Sequence, residues 1–144
     1  MKNFYFLIVF TTLILFSANS LFAQQRINTE DKIIESCLTF PPLLEKIPTM
    51  VKEQIMEYLI LDHGVEFQFS PNLKIDGKSV SLISKDQLVQ NKPYFDFFTL
   101  NIEVDKVVTT YYLTYNLDNE EHIIPVTIHF EKKDLDWKVI NYTI

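Results

Sequence analysis

The chain has 144 residues, enough for one domain core, and its 19 acidic residues against 13 basic ones give a formal net charge of −6. No basic patch is available to grip phosphates, which argues against nucleic acid as a partner. Cys37 is the single cysteine, so no internal disulfide can hold the fold, and a buried apolar role beside Ile33, Ile34 and Leu38 is expected for it.

Lys2 precedes an almost purely apolar run from Phe4 to Phe16, and Ser17, Ala18, Asn19, Ser20 and Ala23 follow. This is the three-part layout of a secretory signal peptide. A membrane anchor would need roughly 20 apolar residues to cross a hydrocarbon layer about 30 Å thick, and Phe4–Phe16 has 13. Cleavage after Ala23 is expected, with cleavage after Ser20 as the alternative. Removing residues 1–23 of 144 leaves 121 and, with Lys2 gone, takes the net charge from −6 to −7. The expected location is therefore the periplasm or the outside of the cell, with no stable membrane insertion once the leader is removed.

Residues 24–28 are polar and read as a flexible lead-in, followed by a single α+β domain over 29–144. Thr29 can cap a helix with Glu30 and Asp31 in its first turn, and Ile33, Ile34, Cys37 and Leu38 then share one stripe. Pro41 and Pro42 end it. A second helix is predicted from Pro48 and Thr49 to Asp62, with Val51, Ile55, Tyr58 and Leu59 on one side and Gly64 as a left-handed cap beside His63. Beyond it the period changes to two. Val65–Ser70 alternates, Asp76 and Gly77 supply a turn, a short strand is expected near Ser79–Ile83, and Ser84 with Gln87 suggests one capped helical turn.

Three stronger strands follow. Their inward positions are read as Phe98, Leu100, Ile102 and Val104; then Val107, Thr109, Tyr111, Leu113, Tyr115 and Leu117; then Ile124, Val126, Ile128 and Phe130. Asp105-Lys106 makes a tight turn and Asp118–His122 a longer polar loop. Pro125 belongs at a strand start, an edge or a bulge. The last strand, Trp137–Ile144, has apolar residues on both faces and is expected to be covered on both, with Trp137 buried beside Val139 and Val51 or Ile55.

The turn Asp105-Lys106-Val107-Val108, and His129-Phe130-Glu131-Lys132 leading through Asp134 to Trp137-Lys138-Val139, resemble the cystatin-like superfamily that includes the nuclear-transport-factor-like and SnoaL-like cone folds. The resemblance spans about Thr49–Ile144. It implies N-terminal helices packed on one face of a curved antiparallel sheet of about four to six strands. It also implies a choice among small-molecule binders, isomerases, hydrolases and protease inhibitors.

The enzymes of that group place an Asp or His inside the cone, yet no inward position here ionises near neutral pH. No catalytic residue is assigned. His63, His122 and His129 share no metal-ligand spacing, so neither a metal nor a cofactor is expected. Asp62-His63 is unattractive as an acid–base pair because neighbours along a helix do not face each other. The polar tips left for contact are Thr109, Tyr111 and Tyr115 on the inner face and Tyr112, flanked by Thr110 and Thr114, on the outer one. The expectation is a small exported non-catalytic domain that binds a protein partner or an apolar small ligand. The rival is a cone-fold isomerase or hydrolase in which Tyr111 or Tyr115 works with a helix-borne acid, Asp62 or Glu57.

Overall fold

The computed structural model describes residues 24–144 apart from Gln25, Glu66, Phe67 and Gln90. The leader read above in residues 1–23 lies outside the described residues. A long helix, α1, is wound over 26–38. Arg26 to Asn28, read as a lead-in, are thus already helical, and Thr29 lies within the helix and caps nothing. Ile33, Ile34, Cys37 and Leu38 form its fully buried stripe, set down on a sheet. Two short helices follow, α2 over Pro41–Lys46 and α3 over Thr49–Gln54. Pro41 occupies the first turn of α2, where a missing N–H costs nothing.

The expected layout of several helices on an antiparallel sheet of four to six strands is overturned. One long helix stands against seven strands in a mixed sheet. These are β1 Tyr58–Leu61, β2 Lys74–Ile75, β3 Lys78–Ile83, β4 Tyr94–Ile102, β5 Lys106–Leu117, β6 Glu120–Lys133 and β7 Asp136–Thr143, in the spatial order β2-β3-β1-β4-β5-β6-β7. The second predicted helix is the main error. It stops at Gln54, and Tyr58–Leu61 becomes a strand lying parallel to both β3 and β4. All four of its residues are buried. A strand covered on both faces is a continuous apolar run, which periodicity cannot distinguish from a helix segment. Gly64 does adopt a positive φ of 83°, but after a strand, where its N–H donates to Asp62 Oδ1 at 2.9 Å.

Of the predicted strand Val65–Ser70, Glu66 and Phe67 lie outside the described residues and the remainder is not in a strand. The reason is visible. Gln68 N–H donates to Glu30 and Ser70 N–H to Asp31, so two carboxylates of α1 take the backbone donors that a neighbouring strand would need. Glu30 is fully buried and also paired with Arg26 Nε at 2.8 Å. The Ser79–Ile83 strand and the turn at Ser84 appear as read: Ser84 N–H donates to Gln87 Oε1 at 3.0 Å, beside the 3₁₀ turn Lys85–Gln87.

β5 keeps the predicted inward set, with Val107, Thr109, Tyr111, Leu113 and Tyr115 buried, and β6 does so with Val126, Ile128 and Phe130. The loop between them is only two residues long. Asp118 and Asn119 both have positive φ, and Leu117 pairs with Glu120, so His122 belongs to β6. Pro125 lies where β6 has lost its outer neighbour, since β7 pairs with it only from Thr127 onward. β7 is an edge strand, not a covered one: Trp137 is half-buried, while Val139, Ile140 and Tyr142 are 38%, 51% and 49% exposed. Trp137 looks onto the N-terminal part of α1, where it lines an open cleft of about 620 Å³ with Thr29, Ile102 and Lys132.

Candidate functional site

The inner face of the sheet is filled. Tyr111 is fully buried, its ring stacks on Phe97 with centroids 4.7 Å apart, and its hydroxyl donates to the Cys37 carbonyl at 2.8 Å. That carbonyl lies in the last turn of α1, where it has no partner within the helix. Burial, with the Cys37 thiol nearby, pushes the Tyr111 phenol far above its ordinary value, and burial does the same to the thiol. Thr109 is equally buried and donates to the Thr99 carbonyl at 3.0 Å. Tyr115 is 6% exposed and stacks on His122, its cross-strand partner, at 5.2 Å. Three of the four predicted contact residues therefore serve the core. The acids proposed to work with them are elsewhere: Asp62 holds the Gly64 N–H, and Glu57 accepts from Ser79 and Ser81.

The fourth, Tyr112, belongs to a different environment. β4 and β5 are antiparallel with Asp96 opposite Tyr112, and Leu61 lies beside Asp96 on the other side. This is the face turned away from α1. The β4 register shifts between Phe97 and Thr99. Phe95 and Phe97 point into the core and are 1% and 0% exposed, but the bulge leaves Phe98 unpaired and 45% exposed. Its ring lies 4.5 Å from Tyr112 and 6.1 Å from the imidazole of His63, the latter pair stacked at 24°. Phe98, read as inward, is thus corrected, and so is Val104 for another reason: β4 ends at Ile102, and Val104 is 91% exposed in the turn closed by the Glu103 N–H to Lys106 carbonyl bond. A bulge re-aims a side chain by breaking the two-residue alternation on which that reading rested.

His63 does have a carboxylate partner, although not its neighbour in sequence. Its Nε2 lies 3.0 Å from Asp96 Oδ2, across 33 residues. The Asp96 side chain is 12% exposed and that of His63 44%, so a sheltered carboxylate orients a solvent-facing imidazole. Asp96 Oδ1 is buried with no hydrogen-bond partner among the described residues. Leaving such an acceptor unmade costs about 1–3 kcal/mol, an expense that native cores rarely carry without a use for it. The sequence contained one sign of this: a lone carboxylate in the run Tyr94-Phe95-Asp96-Phe97-Phe98, where burial between aromatic neighbours demands a cation or a donor.

Among the described residues, no three His, Cys, Asp or Glu side chains gather as metal ligands would, and no helix is long and apolar enough to cross a membrane. No family model, curated protein or solved structure matches the chain. The site must accordingly be read from its own chemistry. It is an open sheet surface carrying the Phe98 ring tilted against Tyr112 and stacked on an imidazole held by a buried carboxylate, with a border of Thr99, Thr110 and Thr127. The threonine hydroxyls are mutually engaged, with Thr110 N–H donating to Thr99 Oγ1 at 3.1 Å and Thr110 Oγ1 lying 3.2 Å from Thr127 Oγ1.

Proposed function

We propose that the protein is an exported, non-catalytic binding domain and that its partner is a protein seated on the outer face of the sheet around Phe98, Tyr112 and His63. The observation carrying this reading is the bulge at Phe98, which moves a phenylalanine out of the core and stands it between an imidazole and a phenol on the open face of the sheet. Large rigid rings that are half-exposed before binding are typical anchors of protein interfaces, because they bury much area while few rotors are lost. His63, 44% exposed and oriented by the sheltered Asp96 carboxylate, adds a directional polar contact at the rim. A filled inner face gives no support to an apolar ligand between α1 and the sheet or to a catalytic role for Tyr111.

The test uses protein exported by its own leader. Mass spectrometry should find Gln24, or else Leu21, as the first residue; intact Met1 in an integral membrane fraction would remove the exported part of the proposal. Immobilised wild-type protein should then retain a partner from the exported fraction, and Phe98→Ala and Tyr112→Ala should each weaken that retention by more than tenfold, corresponding to at least about 1.4 kcal/mol. Equal retention by both variants would refute the assigned surface.

A further inference from the structure

The two lateral edges of the sheet differ. β2 forms one edge with two residues and an exposed Lys74, the short charged form that resists strand addition. β7 forms the other with eight residues, three of them exposed apolar side chains. Among the described residues no strand pairs with its outer side. The orientation of its backbone groups can be worked out. Lys132 N–H donates to Asp105 on the β5 side at 2.8 Å, so Trp137, which lies opposite Lys132, turns its own N–H and C=O to the free edge. Tyr142 N–H is taken by the side chain of Asn141 at 2.9 Å and not by β6. Tyr142 therefore faces the free edge as well.

We infer that β7 pairs antiparallel with β7 of a second copy of this chain, about a two-fold axis between Val139 and Ile140, joining two seven-stranded sheets into one. In this register Trp137 lies opposite Tyr142: the Trp137 N–H donates to the Tyr142 carbonyl, and the Tyr142 N–H exchanges the Asn141 side chain for the Trp137 carbonyl to complete the pair. Lys138 then faces Asn141 and Asp136 faces Thr143, and no like charges oppose each other. The faces match only because of the irregularity opposite His129 and Phe130. A regular strand paired with itself about that point would set side chains of opposite faces against each other. The extra residue shifts the pleat, so Trp137 and Tyr142 both lie on the helix side, the latter against Phe40 with ring centroids 5.0 Å apart. Lys138 and Asn141, across from Glu131 and His129, both lie on the outer face. On both sides of the axis, where Val139 meets the unpaired Ile140, the edge is complementary to itself, and this specifies a second copy over an unrelated peptide. Two strands, β5 and β6, lie between Phe98 on β4 and the β7 edge, so the Phe98 patch stays open in this dimer.

Sedimentation equilibrium of the purified protein should give twice the monomer mass in the micromolar range. Ile140→Lys places two ammonium groups at the axis and should raise the dimer dissociation constant at least about a hundredfold, with the circular dichroism spectrum unchanged. To fix the register, Lys138→Cys and Asn141→Cys proteins are oxidised separately and mixed: only the mixture should yield a disulfide-linked dimer, since Cys37 is buried. A monomer throughout the micromolar range would overturn the inference. So would a dimer insensitive to Ile140→Lys, or a cross-link formed by Lys138→Cys alone.

Discussion

Tyr111 and Tyr112 are adjacent on one strand and have nothing else in common. The first is sealed beneath α1, stacked on Phe97 and bonded to a helix carbonyl; the second stands on the open face against Phe98. The strand pleat alone separates them, and it assigns one tyrosine to stability and the other to contact. A residue type therefore says little about function here until its face is known. Among the described residues every fully enclosed side-chain oxygen or nitrogen of the inner face has a hydrogen-bond partner, whereas the outer face carries an exposed imidazole, a displaced phenylalanine and the unpaired Asp96 oxygen beneath them.

The comparison can be broken most sharply at the tyrosines. Tyr111→Ala should cost about 3–5 kcal/mol, the range for removing a buried aromatic ring, and urea unfolding will measure it. A loss below about 1 kcal/mol would mean that the inner face is not the structural one. Tyr111→Phe keeps the ring but strands the Cys37 carbonyl, and about 1–3 kcal/mol is expected.

Alkaline pH probes the same face. The folded protein holds the Cys37 and Tyr111 protons above the ordinary values of 9.0 and 10.0, because burial penalises thiolate and phenolate. Above those values the unfolded chain binds fewer protons than the folded one, so stability is complete below about pH 9 and falls as pH rises further. The slope approaches about 1.4 kcal/mol per pH unit for each group. In the same window Cys37 should resist alkylation until denaturant is added. A native protein that alkylates as fast as a free thiol at pH 9 would contradict its burial.

On the outer face, His63→Ala takes the imidazole away from the Asp96 carboxylate and should destabilise by about 1–3 kcal/mol. Replacing both residues by leucine should recover part of that loss, because an apolar pair strands no charge. If the double variant is no better than His63→Ala, the carboxylate is not what makes the single change costly. The smallest effect is expected at Tyr112→Thr, at most about 1 kcal/mol from a lost cross-strand aromatic contact. A larger loss would move Tyr112 into the structural class and weaken its assignment to the binding surface.

Much of the β5–β6 hairpin is legible in the chain, because a strand with one covered and one open face writes its burial as alternation, and Val107 to Leu113 and Val126 to Phe130 do so without interruption. The buried stripe of α1 is legible for the same reason. Less of the site can be read. Alternation places Tyr112 on the outer face, but the same count taken from Leu100 passes through Phe98 and turns it inward, and a bulge has no signature in composition. His63 reads as a helix cap because Tyr58–Leu61 looks like the end of a helix. Its true partner, Asp96, is hidden by 33 residues of intervening chain.

By itself the amino-acid sequence determined the elements whose stabilising contacts are local: the α1 stripe, the turn at Asp76-Gly77, the Ser84–Gln87 cap and the alternation of the long strands. Tertiary structure decided that Tyr58–Leu61 would be a strand, since a parallel pairing with β3 and β4 exists only once distant segments lie on either side of it. It also decided the fate of residues 68–70, whose backbone donors are taken by Glu30 and Asp31, and the position of the bulge that exposes Phe98. Local propensity is a matter of tenths of a kcal/mol per residue. Burying Tyr58 to Leu61 on both faces contributes several kcal/mol at about 25 cal/mol per Å² of apolar surface, and that burial outweighs the helical preference of the segment.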